Sequence, residues 1–435
     1  MKIFSALAPL AFGRQDYVGY KVLRTSWDDA HTSIEVGAFL ERLTSVDMWE
    51  PEHVEYLTYT QKADFMLSEE DSEAFIERFG DHVDILPIID DVGFVIDQQK
   101  NEQERATKGL RDLDLPYDQY LTYPQLESWI LANVDNVLVS AEVLGETYGG
   151  NNVYGVHIGD QDPTSDKKKI FIECNVHARE WITPATCRYF IHMVKSAVNG
   201  VDLTPPSYSM DDLTSILEHN WYIIVSANPD GYQYSHDSDR MWRKNREPND
   251  GSNCPGTDLN RQFPVGHLTV GGSSSQCSST YAGEAPFTTK EASIWRDWFH
   301  QLRNAGGGDI EAQLSVHSYS QLIMPPWATG RTAIPEDPAD IEYQTRVSNR
   351  MQTALYNVHG KVYRVGQSRD VVGYPAGGTT EDYSYRDLGV TLSWVLELRD
   401  TGAYGFLLPA DQIIPTAEET VAMFIEVSKE LSSRK

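Results

Sequence analysis

The sequence predicts an α/β protein whose larger part, residues 117–435, is a mostly parallel or mixed β-sheet with helices on both faces. Apolar, β-rich runs recur at residues 169–175, 221–227, 312–316 and 392–398, and helical stretches lie between them. Strands that are apolar throughout are typical of sheets buried on both faces. Ligands of such sheets lie at the carboxyl ends of the strands, so functional residues are expected there.

Several helices of this part are indicated by their starting residues. Thr183 and Pro184 have the pattern of a cap followed by a first-turn proline. Thr288, with Glu291 three residues later, has the spacing of a capping box. Two more helices are predicted, from about Asp340 to His359 and after Pro415.

Residues 15–98 predict a second, smaller α/β unit. The 435-residue length also favours two domains. Alternating strands and helices predict a small open α/β sandwich, with Ser68 as the cap of its second helix. The predicted elements are strands over residues 17–24, 54–59 and 83–88 and helices over residues 32–45 and 68–79.

Residues 99–116 indicate an exposed connecting helix, rich in Gln, Glu, Lys, Arg and Asp. A trypsin-like protease could cut there after Arg105, Lys108 or Arg111.

Residues 1–14 place one lysine before a mostly apolar stretch, which predicts a signal peptide and a secreted protein. The alternative is a truncated or wrongly assigned N-terminus.

Composition narrows the classes of partner. The net charge of −28 argues against nucleic acid, because phosphate binding needs a basic surface. No apolar run approaches the ~20 residues that span a bilayer.

The four cysteines of the chain indicate two disulfides, because their number is even and the chain is predicted to be secreted. They are Cys174, Cys187, Cys254 and Cys277. Proximity favours pairing the first two and the last two; the alternative is four buried free thiols.

Two strand ends carry metal-ligand residue types. The run over 169–175 leads into His177 and Glu180, which can converge on one divalent ion if the backbone turns. By itself this motif is weak. The run over 312–316 leads into His317 at the same edge of the predicted sheet. Two histidines and a glutamate are a ligand set of catalytic zinc sites, which leave a fourth position for water.

A third strand end contains Glu397 in an otherwise apolar run. Unpaired burial of a carboxylate is costly, so Glu397 is expected to face a polar site. Beside a metal it could take a proton from water and pass it to a leaving amine. The alternative is an ion pair with Arg399 or another arginine.

Longer motifs resemble the pancreatic-type carboxypeptidase A/B family of zinc peptidases. Their order and spacing are specific, and they run from about Tyr120 to Val427. Segments at 18–24 (VGYKVLR) and 88–97 (IIDDVGFVID) resemble the family's propeptide, so the resemblance covers almost the whole chain. The other matching motifs are HAREWIT at 177–183, NPDGY at 228–232, RMWRKNR at 240–246, DLNRQF at 258–263, HSYSQL at 317–322 and ELRDTGAYGFLLPADQIIPTAEET at 397–420.

The resemblance implies the carboxypeptidase fold, with a mixed sheet of the eight-stranded type, and the release of single C-terminal amino acids from peptides and proteins. It implies one Zn²⁺ held by His177, Glu180 and His317, with zinc-activated water as the nucleophile. Glu397 matches the general base. Arg243 matches the arginine that polarises the scissile carbonyl and stabilises the oxyanion.

The resemblance also implies substrate-binding residues. Asn260 and Arg261 match the pair that grips the C-terminal carboxylate, which suits a planar guanidinium. Tyr374 matches the mobile tyrosine that closes over the terminus. The residues that match the next subsites outward are Arg179, Tyr319 and Phe406.

Precursor processing follows from the same resemblance. The module over residues 15–98 matches an inhibitory propeptide, and a trypsin-like protease would activate the precursor by cutting the connector, best after Arg111. The last two cysteines bracket a loop as the family's common disulfide does. The first two resemble a further bridge of B-type members.

The preference for the terminal side chain stays open. Glu381 falls where A-type enzymes carry an apolar residue and B-type enzymes an aspartate, which favours terminal Lys or Arg. Arg369 falls near another position of the same pocket and could neutralise Glu381. A basic or mixed preference and an aromatic or aliphatic one are both compatible with the sequence.

Three other functions were weighed against a peptidase precursor. A catalytically dead relative is disfavoured because Glu397 and Arg243 are present. A zinc amidohydrolase acting on a small N-acyl amino acid or a modified tail is disfavoured by Asn260, Arg261 and the propeptide-like region. In the third, residues 15–98 bind a partner of their own instead of covering the cleft.

Overall fold

The computed structural model of the protein describes residues 15–111, 115–162, 165–330 and 337–434. The predicted signal peptide, residues 1–14, lies outside the described residues. Among the described helices, none combines the length and the apolar character that crossing a membrane requires.

The N-terminal module is a small antiparallel sheet covered by helices. Its elements are the strands β1 (Lys21–Ser26), β2 (Asp47–Glu50), β3 (Lys62–Leu67) and β4 (Asp84–Ile89) and the helices α1 (Ala30–Leu40), α2 (Leu57–Thr60) and α3 (Glu69–Phe79). The strand order is β2–β3–β1–β4, with all neighbours antiparallel. Ser68 caps α3 as predicted, since its hydroxyl accepts a hydrogen bond from the Asp71 amide. Leu23, Phe65 and Phe75 are fully buried in the module's core, which confirms the predicted sandwich.

The strand predicted over residues 54–59 is wrong. A short 3-10 helix over Val54–Tyr56 runs into α2, and the strand β3 follows it. Tyr56 and Leu57 are neighbours and both are buried. Leu57 packs in the module's core, whereas Tyr56 stacks on Tyr374 of the larger domain. The β-propensity of valine and tyrosine is overridden by this packing.

The connector contains one long helix, α4 (Val92–Thr107), which follows β4 directly. The predicted boundary at residue 98 therefore lies inside this helix. Asp91 caps it by accepting a hydrogen bond from the Phe94 amide at 2.9 Å. Arg111 lies beyond the C-terminal end of α4 and directly before residues 112–114, which are outside the described residues.

The larger domain contains an eight-stranded mixed sheet, as predicted. Its strands are β5 (Val139–Glu146), β6 (Asn152–Ile158), β7 (Lys169–Cys174), β8 (Asn220–Ile224), β9 (Ile310–Ser318), β10 (Leu322–Met324), β11 (Arg364–Val365) and β12 (Leu392–Leu398). They are ordered β11–β10–β12–β9–β7–β8–β6–β5. The central strands β12, β9, β7 and β8 are parallel to one another, and the outer pairs β10–β12, β8–β6 and β6–β5 are antiparallel.

Helices cover both faces of this sheet. Residues of α6, α10 and α13 are buried in one apolar cluster, and residues of α9 and α12 in a second cluster. Both layers were expected from the apolar strands. The described helices of this domain are α5 (Tyr123–Asn133), α6 (Ile182–Val198), α7 (Met210–Thr214), α8 (Pro229–Asp237), α9 (Lys290–Asn304), α10 (Pro338–His359), α11 (Ser368–Val372), α12 (Thr380–Arg386) and α13 (Ile413–Ser433), with short 3-10 helices at Ser215–Glu218, Leu259–Arg261, Gly405–Leu407 and Ala410–Gln412.

Two helix starts differ from the prediction. Helix α6 begins at Ile182, so Thr183 lies inside it, where its hydroxyl accepts a hydrogen bond from the Asn175 amide. Helix α9 is capped by Thr289, because the Thr288 hydroxyl instead donates to the side chain of Gln262. In both cases a contact with a distant segment takes the threonine that local sequence would assign to the cap.

Both disulfides favoured by proximity are present, Cys174–Cys187 and Cys254–Cys277.

An apolar cluster joins the two domains. It combines Trp49, Met66 and Ile96 of the N-terminal part with Met241 and Phe406 of the larger domain. The module therefore docks through β2, β3 and α4 against the edge of the sheet where the strand ends converge.

Candidate active site

The candidate site lies at the carboxyl ends of the adjacent parallel strands β7, β9 and β12. Cys174 at the end of β7 is in register with Val316 of β9, and His317 is in register with Glu397 of β12. Parallel pairing thus brings residues that are far apart in sequence to one edge.

The turn after β7 directs His177 and Glu180 to the same point. Asn175 adopts a left-handed conformation with φ 57°, and its side-chain amide donates to the His177 carbonyl at 3.2 Å. The Ala178 amide donates to the Arg243 carbonyl at 3.0 Å. Held in this way, His177 Nδ1 lies 2.8 Å from Glu180 Oε1.

The three predicted ligands form one compact, buried donor set. His317 Nδ1 lies 3.1 Å from His177 Nδ1 and 3.1 Å from Glu180 Oε2. The ligand atoms all lie within 4.8 Å of one another. Two ring nitrogens facing each other at this distance cannot both hold a proton, whereas a shared cation satisfies both. The set of two imidazoles and one carboxylate, with room for a fourth ligand, fits a zinc ion.

The outer nitrogens of both rings are also bound. His177 Nε2 lies 3.1 Å from Asp258 Oδ1, and His317 Nε2 lies 2.9 Å from Ser315 Oγ. Such contacts fix the tautomer and orientation of metal-binding histidines. Asp258 was not predicted, although it lies in the DLNRQF motif. Burial raises the pKa of Asp258. The positive charges of Arg243 and His177 outweigh this effect and lower the pKa to well below its ordinary value.

Asp258 also positions Arg243. The Nε and Nη2 atoms of Arg243 donate to Asp258 Oδ2 at 3.0 and 2.9 Å. One buried carboxylate therefore connects a predicted metal ligand to the predicted oxyanion-binding arginine. Such an arrangement holds the guanidinium in place before substrate binds, which is how preorganised charge assists a transition state.

Asn260 and Arg261 are fixed by their neighbours in the same way. Asn260 Oδ1 accepts a hydrogen bond from the Thr380 amide at 3.1 Å. Arg261 donates from Nε to the Gly271 carbonyl at 2.8 Å and from Nη1 to the Asn260 carbonyl at 2.8 Å. Its Nη2 remains directed into the site.

A carboxylate of the N-terminal module joins the two arginines. Glu52 Oε1 lies 2.7 Å from Arg243 Nη2, and Glu52 Oε2 is paired with Arg261 Nη2. Burial raises the pKa of Glu52, but the two guanidinium groups outweigh this effect and lower it to about 2. Sequence reasoning missed Glu52, because nothing in its own segment, WEPEH, identifies a partner in the other domain.

Glu397 lies beside these groups without a fixed partner for one oxygen. Among the described residues, no hydrogen bond reaches its Oε2 atom. Burial and then the neighbouring acids Glu180, Glu50 and Glu52 raise its pKa well above the ordinary value. The predicted alternative, an ion pair with Arg399, does not form, because Arg399 Nε donates to Glu419 at 2.9 Å.

A cavity of about 70 Å³ extends from the triplet between Glu52 and the strand ends. Its lining includes Tyr374, Glu381 and Arg369. Tyr374 is buried and stacks on Tyr56 of the module, with ring centroids 4.8 Å apart. The predicted substrate-binding residues Tyr374, Glu381 and Arg369 therefore line one cavity beside the triplet.

The anticipated neutralisation of Glu381 by Arg369 does not occur in the structure. Arg369 pairs with Asp370, its neighbour, at 2.8 Å. Glu381 Oε1 accepts a hydrogen bond from Ser368 at 3.2 Å, and within the described part of the chain Oε2 has no partner. Burial and the adjacent Asp382 raise the pKa of Glu381 to about 8.

The remaining predicted residues form a separate outer group. Arg179, Tyr319 and Phe406 surround Trp49 of the module, outside the cavity just described. Fold and site together define a metal-dependent hydrolase of the α/β class, with fixed cations beside a metal triplet.

Comparison with known proteins agrees with this class. The profile of the zinc carboxypeptidase family matches residues 130–423. Carboxypeptidase B from Bos taurus is 32% identical over 422 residues, 95% of this chain and 94% of the relative. Carboxypeptidase A1 from Rattus norvegicus is 33% identical over 427 residues, 96% and 95% of the two chains. The chain belongs to the zinc carboxypeptidase family and is a metallocarboxypeptidase by that membership.

Solved structures agree as well. Thrombin-activatable fibrinolysis inhibitor, known from a crystal structure, is 28% identical in sequence to this chain. The structural alignment covers 95% of this chain and 99% of that one, with a TM-score of 0.84. The bovine form, solved in complex with tick carboxypeptidase inhibitor, is 32% identical and covers 73% of this chain and 99% of its own, with a TM-score of 0.64.

The contacts of Asp258 generate a prediction about metal affinity. Asp258→Asn should weaken zinc binding about 10- to 100-fold, because the variant loses the carboxylate that orients His177. Competition with a chromogenic chelator measures the change. Asp250→Asn, an exposed aspartate of the same loop, is the matched control. Equal zinc affinity of the two variants would show that Asp258 has no part in holding the ligand.

Proposed function

We propose that the chain is the secreted precursor of a zinc carboxypeptidase that releases single amino acids from peptide and protein C-termini. The observation that supports this most is the placement of Glu52. A carboxylate lies between Arg243 and Arg261, directly beside the His177, Glu180 and His317 triplet. A site that binds one carboxylate this way, next to a metal triplet, suits a substrate whose free C-terminal carboxylate belongs to the residue directly after the scissile bond.

His177, Glu180 and His317 are the residues that would hold the zinc ion. Zinc bound there supplies a Lewis acid that lowers the pKa of water and polarises a carbonyl. Glu397 takes a proton from the attacking water and delivers it to the leaving amine as the C–N bond breaks. Arg243 stabilises the negative charge that develops on the carbonyl oxygen.

Substrate binding follows from the fixed cations. Asn260 and Arg261 hold the terminal carboxylate, and Tyr374 covers it once the module has left. Glu381 lies in the cavity beyond them, and among the described residues one of its oxygens has no hydrogen-bond partner and no basic side chain pairs with it. We therefore assign a preference for terminal Lys or Arg.

The N-terminal module acts as an inhibitory propeptide in this proposal. Glu52 occupies Arg261, the arginine assigned to the substrate carboxylate, and Tyr56 stacks on Tyr374, so a substrate terminus and the module compete for one place. Cutting the connector by a trypsin-like protease, best after Arg111, would release it. The two disulfides and the predicted signal peptide support secretion.

The first prediction tests the activity itself. The full chain supplied with zinc should release C-terminal amino acids only after trypsin treatment, and a chelator should abolish release. Glu397→Gln should lower kcat at least about a hundredfold, because the base is lost. Glu284→Gln, an exposed glutamate, is the control. Activity unaffected by the chelator would exclude the metal mechanism, and activity of the uncut chain equal to that of the cut chain would exclude an inhibitory module.

The second prediction concerns Glu52. Glu52→Gln should raise the activity of the uncut chain about 10- to 100-fold, because charge-assisted hydrogen bonds to both arginines are lost. Activity after trypsin should match the wild type. Glu55→Gln changes an exposed glutamate of the same segment and should leave the uncut chain inhibited. If both variants stay equally silent, Glu52 does not compete with substrate.

The third prediction concerns Glu381. Its pKa of about 8 means that the carboxyl is mostly neutral at pH 6 and charged at pH 9. The ratio of kcat/KM for Arg-ending over Phe-ending peptides should therefore rise from pH 6 to pH 9, while the titration of Glu397 cancels in the ratio. Glu381→Gln should remove most of the preference and its pH dependence. Equal or faster cleavage of the Phe peptide at pH 9 would contradict a basic preference.

A further inference from the structure

The module presents a short segment to the catalytic domain in the orientation of a substrate. We infer that the outer cleft selects peptides with an aromatic side chain two or three residues before the scissile bond and an acidic side chain further upstream, as Trp49 and Asp47 are placed. The inference rests on the proposed carboxypeptidase function. It concerns the class of peptide that the activated enzyme cleaves best.

The direction of the segment supports this inference. Glu52 lies on Arg261, which is assigned to the substrate terminus, and on Arg243, which is assigned to the neighbouring scissile carbonyl. Trp49 comes three residues earlier and contacts Phe406, and Asp47, two residues earlier again, pairs with Arg179. A substrate enters with the same polarity, because its last residue reaches Arg261 and its earlier residues extend outward.

Trp49 occupies an aromatic site. Its ring centroid lies 5.0 Å from that of Phe406 and 6.1 Å from that of Tyr319, both tilted towards edge-to-face packing. Only 2% of the Trp49 surface is exposed. Aromatic pairs with this geometry are stabilised beyond their buried area.

The floor of this site is shaped for a large ring. Gly405 has φ +54°, and a Cβ atom there would lie 2.6 Å from the Trp49 ring and 3.3 Å from the Tyr319 ring. No side chain larger than hydrogen therefore fits beneath the indole. The backbone of the catalytic domain comes close enough to contact the face of a bound aromatic group.

Arg179 favours an acidic side chain of the bound segment beside the rings. Its Nη1 lies 3.1 and 2.9 Å from the two carboxylate oxygens of Asp47, and its guanidinium stacks 3.9 Å above the Phe406 ring. The Trp49 indole also donates to Asp47 at 3.2 Å. An acidic residue upstream of an aromatic one can satisfy all of these contacts.

The catalytic domain holds these walls itself. Arg240 donates to the Arg179 carbonyl at 2.9 Å and to the Phe406 carbonyl at 2.6 Å. It also stacks on Trp181, with its guanidinium 3.7 Å from the ring centroid. These contacts do not involve the module, so the backbone of both walls keeps its support after the module leaves, while the Tyr319 hydroxyl loses its 3.2 Å hydrogen bond to Asp64.

Kinetics on peptide sets test the inference. The zinc-supplied, trypsin-treated full chain is given N-acetyl hexapeptides ending in Ala-Arg, with Trp, Leu or Ala at the second or third residue before the scissile bond. Trp should raise kcat/KM about tenfold over Ala at one of these positions, mainly through KM. Asp upstream of Trp should add about threefold over Ala at that place, and Lys should reduce it.

Two variants separate the two parts of the site. Phe406→Ala should bring the Trp/Ala ratio close to one. Arg179→Gln should remove the effect of Asp and retain the effect of Trp. An N-acyl dipeptide ending in Arg, which cannot reach the outer cleft, reports the chemistry in each variant, so a loss of catalysis is distinguished from a loss of selection.

The outcomes are separable. Hydrolysis of the dipeptide with no Trp/Ala difference at either position overturns the inference, and Trp49 then serves only to dock the module. Absence of all hydrolysis overturns the proposed function instead. In that case calorimetric titration of the same hexapeptides onto the trypsin-treated chain decides the inference, since tighter binding of the Trp peptide supports it and equal binding refutes it.

Discussion

Parallel pairing of β7, β9 and β12 is the constraint on which the site depends. Register places His317 beside Glu397, and the turn after β7 carries His177 and Glu180 to the same edge. A slip of one residue in either pairing would move His317 or Glu397 to the opposite face of the sheet. The apolar strands buried between two helical layers resist such a slip, so packing far from the metal triplet determines its geometry.

Compensation of buried positive charge is the second organising feature. Arg179, Arg243 and Arg261 are all buried, and isolated burial of a cation is costly. Asp258 is a permanent partner of Arg243, whereas Glu52 and Asp47 belong to the N-terminal module. Two of these three carboxylates can therefore leave with the module. The cations it exposes are then ready for the carboxylate of a substrate.

This exchange joins inhibition to recognition. Contacts that hold the module in the cleft are of the same chemical kinds as those proposed for a peptide: a carboxylate on Arg261, an aromatic ring on two rings, and an acid on Arg179. The apolar cluster around Trp49 and Met241 adds area that a short peptide lacks. In the proposed precursor, a tethered segment also avoids the entropy of association, so the module would outcompete substrate until the connector is cut.

The sequence by itself determined which residues are candidates for the metal triplet and the base, the pairing of the cysteines favoured by proximity, and the four central strands of the larger sheet, because each lies in a local motif or an apolar run. The tertiary structure decided the rest. Segment 54–60 is helical and buries Leu57 in the module's core and Tyr56 on Tyr374, Thr289 rather than Thr288 caps its helix, and Arg369 pairs with Asp370 rather than with Glu381. The roles of Asp258 and Glu52 also arise from contacts between segments distant in the chain, and the energies of such contacts depend on geometry that no local pattern contains.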